Sequence, residues 1–568
     1  MSQRVVVIGA VALGPKAACR FKRLEPDSKV TMVDHSDLIS YGGCGIPYFV
    51  SGDVSDASQL QSTSFHMVRD AKFFHNVKDI DVLINTRALS IDRKNKTVRL
   101  KNVLDQREEN LPYDQLVLAT GSRPKRLPIP GADLKGVFTV SSLNEAVAIK
   151  QSLADGEVGK AVIIGAGAIG LEMAEALADL WGIDTTVIEV ADQILPGIVS
   201  PNMARMAQCH LEENDISVRL SERVQQLQGA DRVEKVITDK GIIDANMVIM
   251  AVGVAPNSDL AKGAGLEVSA NGAIVVNERM ETSDPHIFAG GDCVEVRNLL
   301  TGKPGYFPSG SLANRQGRVI GTNLAGGNAR FEGAVGTFII KIFEMSLASA
   351  GMSLKTAKAE GWDALSVFVS QFDRAHFYPE KGLMYLELIV DRKTEKVLGI
   401  QGLGPMTDAV FARVNAVAAI LKDGPTTADI SNLELLYAPP FSSAMDILNA
   451  LGNTAENVLR EKNQLIDVAQ FAKRWQDRGS QDTVFLDCRG WGNAKPFVEK
   501  YPDDWKSIPQ DELRMRMDEV PRDKALVLIC NTGVRSYEAQ LNLRQMGITN
   551  TYNLQGGMAT VKEWGLDL

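Results

Sequence analysis

Short apolar runs, each closed by a glycine turn and followed by a stretch with helical spacing, recur along most of the chain. One order occurs twice, about 155 residues apart: apolar strand, glycine-rich turn, helix, second strand, acidic residue. It is carried by VVVIGAVALGPKAACRFKRL…KVTMVD and by AVIIGAGAIGLEMAEALADL…TTVIE. Each segment predicts the opening βαβ unit of a nucleotide-binding fold. Between them, YDQLVLATGSRPKRLPIPG predicts a buried strand ending in a proline-rich turn. NMVIMAVGVAPN and PHIFAGGDC predict two further strand-to-glycine turns. From about Phe331 the texture becomes strand-rich (VLGIQGLG) with one apolar helix (DAVFARVNAVAAILKDG), which predicts a domain without a nucleotide. A polar, helical connector around residues 454–464 leads to a final piece of roughly 100 residues. There TVFLDCR, ALVLICNTG and TNTYNLQGG predict a small, separate α/β domain.

A chain of 568 residues is too long for one hydrophobic core, in keeping with several domains. The net charge of −9 argues against a nucleic-acid or anionic-membrane partner. The sequence enters a strand at Arg4 without a secretory signal, and no stretch of about 18 apolar residues appears, so a cytoplasmic protein without a membrane span is expected. The six cysteines, Cys19, Cys44, Cys209, Cys293, Cys488 and Cys530, form no CxxC pair. Neither a metal site nor a thioredoxin-type dithiol is expected, and reactivity becomes a question about single thiols.

The second fingerprint is complete, with Gly165, Gly167 and Gly170 between a strand and a helix. Glycines there permit the tight turn and the close approach of a pyrophosphate, which the helix N-terminus attracts. Glu189 ends the next strand, where a carboxylate accepts from a ribose 2′-hydroxyl and repels a 2′-phosphate, so NADH is expected over NADPH. The first fingerprint reads Gly9, Val11, Gly14, with Asp34 at its second strand end. LATG, with Thr120 and Gly121, and IFAGGD, with Gly290, Gly291 and Asp292, are strand ends of the kind that line a flavin. Two nucleotide folds in one chain imply a relay from nicotinamide to FAD to a third group. Cys44, in ISYGGCGIPYFVSGD, fits that third group. A following short helix and a nearby flavin are expected to lower its pKa. With no second cysteine within ten residues, its chemistry is a mixed disulfide, persulfide or sulfenate on one sulfur. Structural roles are expected for Cys19, Cys209 and Cys293. Lys16, Arg20 and Arg23 have helical spacing and form either a cationic strip for phosphates or solvated surface charge.

GAVALG, SYGGCGIPY, LATGSRP, GAGAIGLE, AGGD and LYAPPFSSAMD give residues 1–450 a resemblance to the CoA-disulfide reductase branch of the pyridine nucleotide–disulfide oxidoreductases. The single-cysteine motif Ser40–Tyr48 is its most specific element. The resemblance implies a homodimer in which Tyr378 and Tyr437 reach the partner's cysteine. It also implies CoA contacts at Lys16, Arg20, Arg23, Ser40, Gly43, Lys72 and Asn314. Gly43 stands where many relatives have Asn, and Met445 replaces a common Lys, so a roomier site is expected. The last hundred residues resemble a rhodanese through CNTGVRS, with Cys530 before a helix, Arg535 in its loop, and DCR at residues 487–489. Loop amides and Arg535 would hold an anionic sulfur. The usual GHIPGA segment is absent.

The expected fold is therefore α/β. It comprises an FAD domain in two parts (1–149 and 245–325), an NAD domain (150–244), an α+β dimerisation domain (326–451), a linker (452–466) and a rhodanese domain (467–568). The expected function is NADH-driven reduction of CoA persulfide or polysulfide through FAD and Cys44, with Cys530 carrying sulfane sulfur and CoA as carrier or substrate. The alternatives are a CoA-disulfide reductase for thiol balance, an NADH oxidase or peroxidase, and a non-catalytic flavin redox sensor.

Overall fold

The computed structural model describes residues 2–480 and 482–568. The chain divides into two compact units, Met1–Asp192 with Asn214–Ala334, and Gln193–Glu213 with Val335–Leu568.

The first unit holds two parallel five-stranded sheets. In one, the order is Ile287–Ala289, Gln115–Leu118, Arg4–Ile8, Lys29–Val33, Asp81–Leu83. In the other it is Ile216–Arg219, Asp184–Ile188, Lys160–Ile164, Met247–Met250, Val137–Phe138. Sheets buried on both faces demand continuous apolar strands. Accordingly Val5–Ile8 and Ala161–Ile164 are buried without interruption. Strand Ile287–Ala289 pairs with Gln115–Leu118, which closes the first sheet with chain from beyond the second. Both repeats thus form βαβ units, and IFAGGD returns to the sheet begun by Arg4–Ile8.

The second unit contains an antiparallel sheet ordered Thr337–Ile342, Met345–Gly351, Val397–Pro405, Leu383–Asp391, Ala364–Phe372. Helix Ala409–Ile420 packs on it. A parallel sheet follows, ordered Leu465–Ile466, Thr551–Leu554, Ala525–Ile529, Thr483–Asp487, Trp505–Ser507. Residues 193–213 depart from the expected NAD domain and join this unit. The Ser200 amide donates to Gln401 Oε1 at 2.7 Å, and its hydroxyl donates to the buried Glu387 carboxylate, whose pKa burial raises.

The expected linker at 452–466 is not a tether. Helix Ile447–Leu459 runs through its start, burying Ile447, Leu448, Leu451, Gly452 and Ala455 against strands Ala364–Phe372 and Leu383–Asp391. The polar residues that suggested a connector are the outer face of this helix, and Leu465–Ile466 is already an edge strand of the last sheet. That sheet's domain is fastened to the antiparallel sheet as well. The Phe368 amide donates to Gln555 Oε1 at 2.7 Å, Ser370 Oγ donates to the Gly556 carbonyl at 3.0 Å, and Tyr385 Oη lies 3.3 Å from Glu563. Cys209 is buried there, 3.2 Å from the Trp564 carbonyl, and burial pushes its thiol up to about 11, as a structural cysteine requires.

Candidate functional site

Both dinucleotide turns are built as their glycines demand. A Cβ on Gly9 (φ +102°) would stand 2.1 Å from the Ala119 carbonyl oxygen, and one on Gly165 (φ +104°) 2.5 Å from that of Ala251. Gly14 and Gly170 allow each helix to cross its own turn, since a Cβ there would lie 1.9 and 2.0 Å from the Gly9 and Gly165 oxygens. The middle positions differ. Gly167 opens onto free space at the N-terminus of helix Ala168–Ala178, the cradle a pyrophosphate needs, whereas the half-buried Val11 takes the middle place of the first turn. Asp34 and Glu189 are both buried and play matching parts. Asp34 accepts from the Ala10 and Ser36 amides at 2.8 and 3.0 Å, and Glu189 from the Ala166 and Ala191 amides at 2.8 and 2.9 Å.

Thr120 and Gly121 lie at the end of strand Gln115–Leu118, where Thr120 Oγ1 donates to the Asn257 carbonyl. Gly121 (φ +66°) has nothing within 4 Å of its would-be Cβ. Gly290 and Gly291 follow strand Ile287–Ala289, and the Gly291 amide donates to Gln316 Oε1 at 2.7 Å. Asp292 is held in a recess where burial raises its pKa, with Ser122 Oγ at 3.3 Å. Two glycine-built turns, two hydrogen-bonded acids and a recessed Asp292 fit a flavin dinucleotide in the first fold and a nicotinamide dinucleotide in the second.

Cys44 sits in the 3₁₀ turn Gly43–Gly45, just before helix Ile46–Ser51. The residue is exposed, yet its thiol is recessed. Burial is the main influence on its pKa and raises it, followed by the negative charges of Glu172 and Asp292. The expected lowering by the following helix is therefore not met in the protein alone. The amides that do favour the thiolate are that of Gly310, at the N-terminus of helix Gly310–Leu324, and that of Cys44 itself.

Glu172 and Tyr48 complete this cluster. Tyr48 Oη lies 3.4 Å from Glu172 Oε1. Burial lifts Glu172 to about 7, and burial beside that carboxylate pushes Tyr48 up to about 12. Sequence reasoning gave neither residue a role. The signal was present: Glu172 stands two places after Gly170, one of two acids, with Glu175, inside the mostly apolar AIGLEMAEALA. A raised carboxyl pKa has a consequence for stability. Below pH 4.5 the group is protonated in both states; between 4.5 and about 7 the native state keeps a proton that the unfolded chain releases. Stability should fall with rising pH across that window, by at most about 3 kcal/mol. Glu172→Gln should flatten the fall in chemical unfolding curves, and an unchanged slope would show that Glu172 titrates as an ordinary carboxylate.

The residues expected around CoA are partly assembled. Helix Leu13–Leu24, carrying Lys16, Arg20 and Arg23, packs against helix Gly310–Leu324, which carries Asn314 and begins beside Cys44. Gly317 and Gly321 permit that approach, since a Cβ on either would meet the Lys16 or Arg20 side chain within 3.0 Å. Lys16, Arg23 and Asn314 are exposed, while Arg20 Nε donates to Thr322 Oγ1 at 3.1 Å. Ser40 is buried with φ +52°, and a side chain on Gly43 would meet only the Tyr41 ring edge, 4.0 Å away. Lys72 is exposed on helix Ala71–Lys78, in a recess with Lys29, Thr31 and His75.

In the second unit, Tyr378 and Tyr437 lie on loops joined by the Ala375 amide to the Pro439 carbonyl (3.2 Å) and by Ser443 Oγ to the Arg374 carbonyl. Around them Leu436, Phe441, Phe377 and Met445 are 96%, 74%, 66% and 56% exposed, an apolar face of the sort partner subunits cover.

Cys530 ends strand Ala525–Ile529 and precedes helix Val534–Gln545. Its sulfur accepts from the Gly533 amide at 3.1 Å and lies 3.2 Å from Ser536 Oγ, which is itself 2.7 Å from Asn553 Oδ1. The loop leans on a second turn, because Met558 and Ala559 amides donate to the Cys530 and Asn531 carbonyls. Gln555 and Gly556, just before it, are the residues bonded to strand Ala364–Phe372. Asp487 and Arg489 form a buried bidentate pair, with Arg489 Nε and Nη2 at 2.9 and 2.7 Å and Trp505 Nε1 at 3.1 Å from the carboxylate. That motif is structural.

Residues 3–317 match the family described as pyridine nucleotide-disulphide oxidoreductase, residues 337–448 its dimerisation domain, and residues 455–563 the rhodanese-like domain. The chain belongs to the pyridine nucleotide-disulphide oxidoreductases, enzymes of FAD and NAD(P)H, and carries a rhodanese-like domain at its C-terminal end. A relative from Pyrococcus abyssi, named NAD(P)H sulfur oxidoreductase (CoA-dependent), is 35% identical over 79% of this chain and 98% of its own length. A solved NAD-dependent persulfide reductase from A. fulgidus superposes with a TM-score of 0.92 at 40% identity, covering 98% of this chain and 99% of that one. CoADR-RHD from Bacillus anthracis does so at 0.90 and 31% identity, covering 99% and 98%. Among the described residues no helix is long and apolar enough to cross a membrane, and no cluster of His, Cys, Asp and Glu is arranged to hold a metal.

Proposed function

We propose that the chain uses NADH to reduce the sulfur–sulfur bond of CoA persulfide or polysulfide through Cys44, while Cys530 carries sulfane sulfur. The observation that carries this reading is the exposed Cys44 of the first unit, between the Gly310 helix terminus and the acids Glu172 and Asp292. The names of the Pyrococcus abyssi relative and the A. fulgidus structure support the substrate class. A flavin bound along Gly9, Asp34 and Asp292 would supply electron transfer between a reduced nicotinamide and a sulfur at Cys44.

This chain's residues do the rest. Lys16, Arg20, Arg23 and Asn314 bind the phosphates of CoA, and the open space at Gly43 admits its sulfur terminus. The Gly310 amide favours the anionic form of the Cys44 sulfur, against the burial and negative charges that disfavour it. Glu172, titrating near neutrality, holds a proton beside the departing thiol or sulfide, and Tyr48 keeps its own proton and orients Glu172. Tyr378 and Tyr437 lie on the face that a second copy covers, and complete the partner's site in a homodimer. Anaerobic NADH consumption with CoA persulfide, CoA disulfide, polysulfide and peroxide tests the reading. Persulfide and polysulfide are expected to give the highest kcat/KM, and peroxide in first place would replace sulfur reduction with an oxidase-type role.

NADH is expected to exceed NADPH through Glu189, which is fixed by two amides where a 2′-phosphate would have to sit. Glu189→Ala should narrow the NADH-to-NADPH ratio by about tenfold, within the usual range for one repelled charge and one lost hydrogen bond. An unchanged ratio of kcat/KM values would place cofactor choice elsewhere.

A further inference from the structure

Strands Thr483–Asp487 and Ala525–Ile529 are parallel neighbours, with Asp487 opposite Ile529. Cys488 and Cys530 are the next residues along the two strands, and the Cys488 amide donates to the Ile529 carbonyl at 2.8 Å, the bond that would form if the parallel register ran one step further. Partners in a parallel ladder point to the same face. Cys488 continues the face of Val484 and Leu486, and Cys530 that of Leu526 and Leu528, the four residues packing in one core cluster. Both thiols are 1% exposed. Adjacent strands lie about 4.7–4.9 Å apart, inside the Cα separation of about 4.4–6.8 Å that a disulfide spans. The two groups also feel each other: after burial, the charge of Cys530 is the largest influence raising the Cys488 pKa.

We propose that Cys488 is a resolving thiol for Cys530, so that the rhodanese-like domain discharges an undelivered persulfide as sulfide and locks itself as a Cys488–Cys530 disulfide. This inference rests on the reading of Cys530 as the sulfane carrier. Cys488 sulfur attacks the inner sulfur of the Cys530 persulfide. The new bond joins the two cysteine sulfurs, and the bond to the outer sulfur breaks. The outer sulfur is reduced and leaves as hydrosulfide, taking up the Cys488 proton, while the two cysteines supply the electrons and end oxidised. Two low-molecular-weight thiols, CoA among them, return the pair to the dithiol and leave as their own disulfide. Because burial disfavours the Cys488 thiolate, discharge is slower than delivery to a waiting acceptor. The pair therefore acts as a timer that empties the carrier only when delivery fails.

The test uses full-length protein, reduced and desalted under anaerobic conditions without NADH, so that the reductase is idle. One portion receives the thiol oxidant diamide. Others receive polysulfide, are freed of excess, and are blocked with iodoacetamide at intervals for peptide mass spectrometry alongside a sulfide assay. Wild type should yield a linked peptide of Cys488 and Cys530 with diamide. After polysulfide it should lose the extra sulfur on Cys530 while releasing one sulfide per linked pair. Cys488→Val, which keeps a small apolar side chain, and Cys488→Ser should hold the Cys530 persulfide roughly tenfold longer, reflecting the high effective concentration of an intramolecular thiol. NADH-driven persulfide reduction through Cys44 should be unchanged in both variants, which also reports correct folding. Equal persulfide lifetimes in wild type and both variants, or no link with diamide, would overturn the resolving role while leaving Cys530 as carrier. Failure of Cys530 to take up sulfur in any of the three proteins would overturn the carrier reading and the timer with it.

Discussion

Replacing Cys44 with serine is expected to lower NADH-driven reduction of CoA persulfide by about three orders of magnitude, roughly 4 kcal/mol of transition-state stabilisation. A hydroxyl is far less nucleophilic than a thiol toward sulfur and cannot form the mixed disulfide or persulfide through which electrons leave the flavin. Flavin binding should survive, because Cys44 lies outside both glycine turns, in a 3₁₀ turn whose backbone needs no sulfur. Bleaching of the flavin by NADH should survive for the same reason. Stopped-flow reduction followed by steady-state turnover separates the two halves of the reaction. Loss of bleaching in Cys44→Ser would mean that the thiol supports hydride transfer rather than the reduction of sulfur.

Cys530→Ser should abolish sulfur transfer from thiosulfate or polysulfide, to less than about a hundredth of wild type, because no other residue in the loop can hold a sulfane sulfur. Turnover with CoA persulfide, which Cys44 meets directly, should be nearly intact. The point variant is the right probe for this. A chain ended at Leu451 would cut helix Ile447–Leu459 in its middle, expose Ile447, Leu448 and Leu451, and strip strand Ala364–Phe372 of its bonds to Gln555 and Gly556. Its failure would say nothing about Cys530. A fall in CoA-persulfide turnover for Cys530→Ser as large as its fall in transferase activity would instead make the two cysteines parts of one catalytic path.

The sequence disclosed the elements whose physics is local. Gly9, Gly14, Gly165 and Gly170 are forced by a turn that allows no Cβ, and apolar runs such as Val5–Ile8 are forced by burial on two faces. The acids Asp34 and Glu189 sit at a fixed distance from those turns, so they too were legible. Contacts set by chain far away were not. The amide that meets Cys44 belongs to Gly310, and Glu172 approaches the same thiol from the second fingerprint's helix. Periodicity registers Glu172 only as one of two acids in a mostly apolar helix. The outer face of helix Ile447–Leu459 reads as a polar connector, because its buried face is matched to strands more than fifty residues earlier. Cys488 and Cys530 show the same limit: no CxxC spacing joins them, yet each directly follows the last paired residue of two neighbouring parallel strands.

The central claim, that electrons leave through the Cys44 sulfur, is tested most directly by a single turnover. Enzyme reduced with one equivalent of NADH, mixed anaerobically with one equivalent of CoA persulfide and quenched with acid, can be digested and its six cysteines weighed separately. The account requires that CoA or sulfane sulfur appear on Cys44 early in the turnover and disappear as one sulfide per NADH is released. Modification confined to Cys530, or sulfide release with Cys44 unmodified throughout, would contradict it.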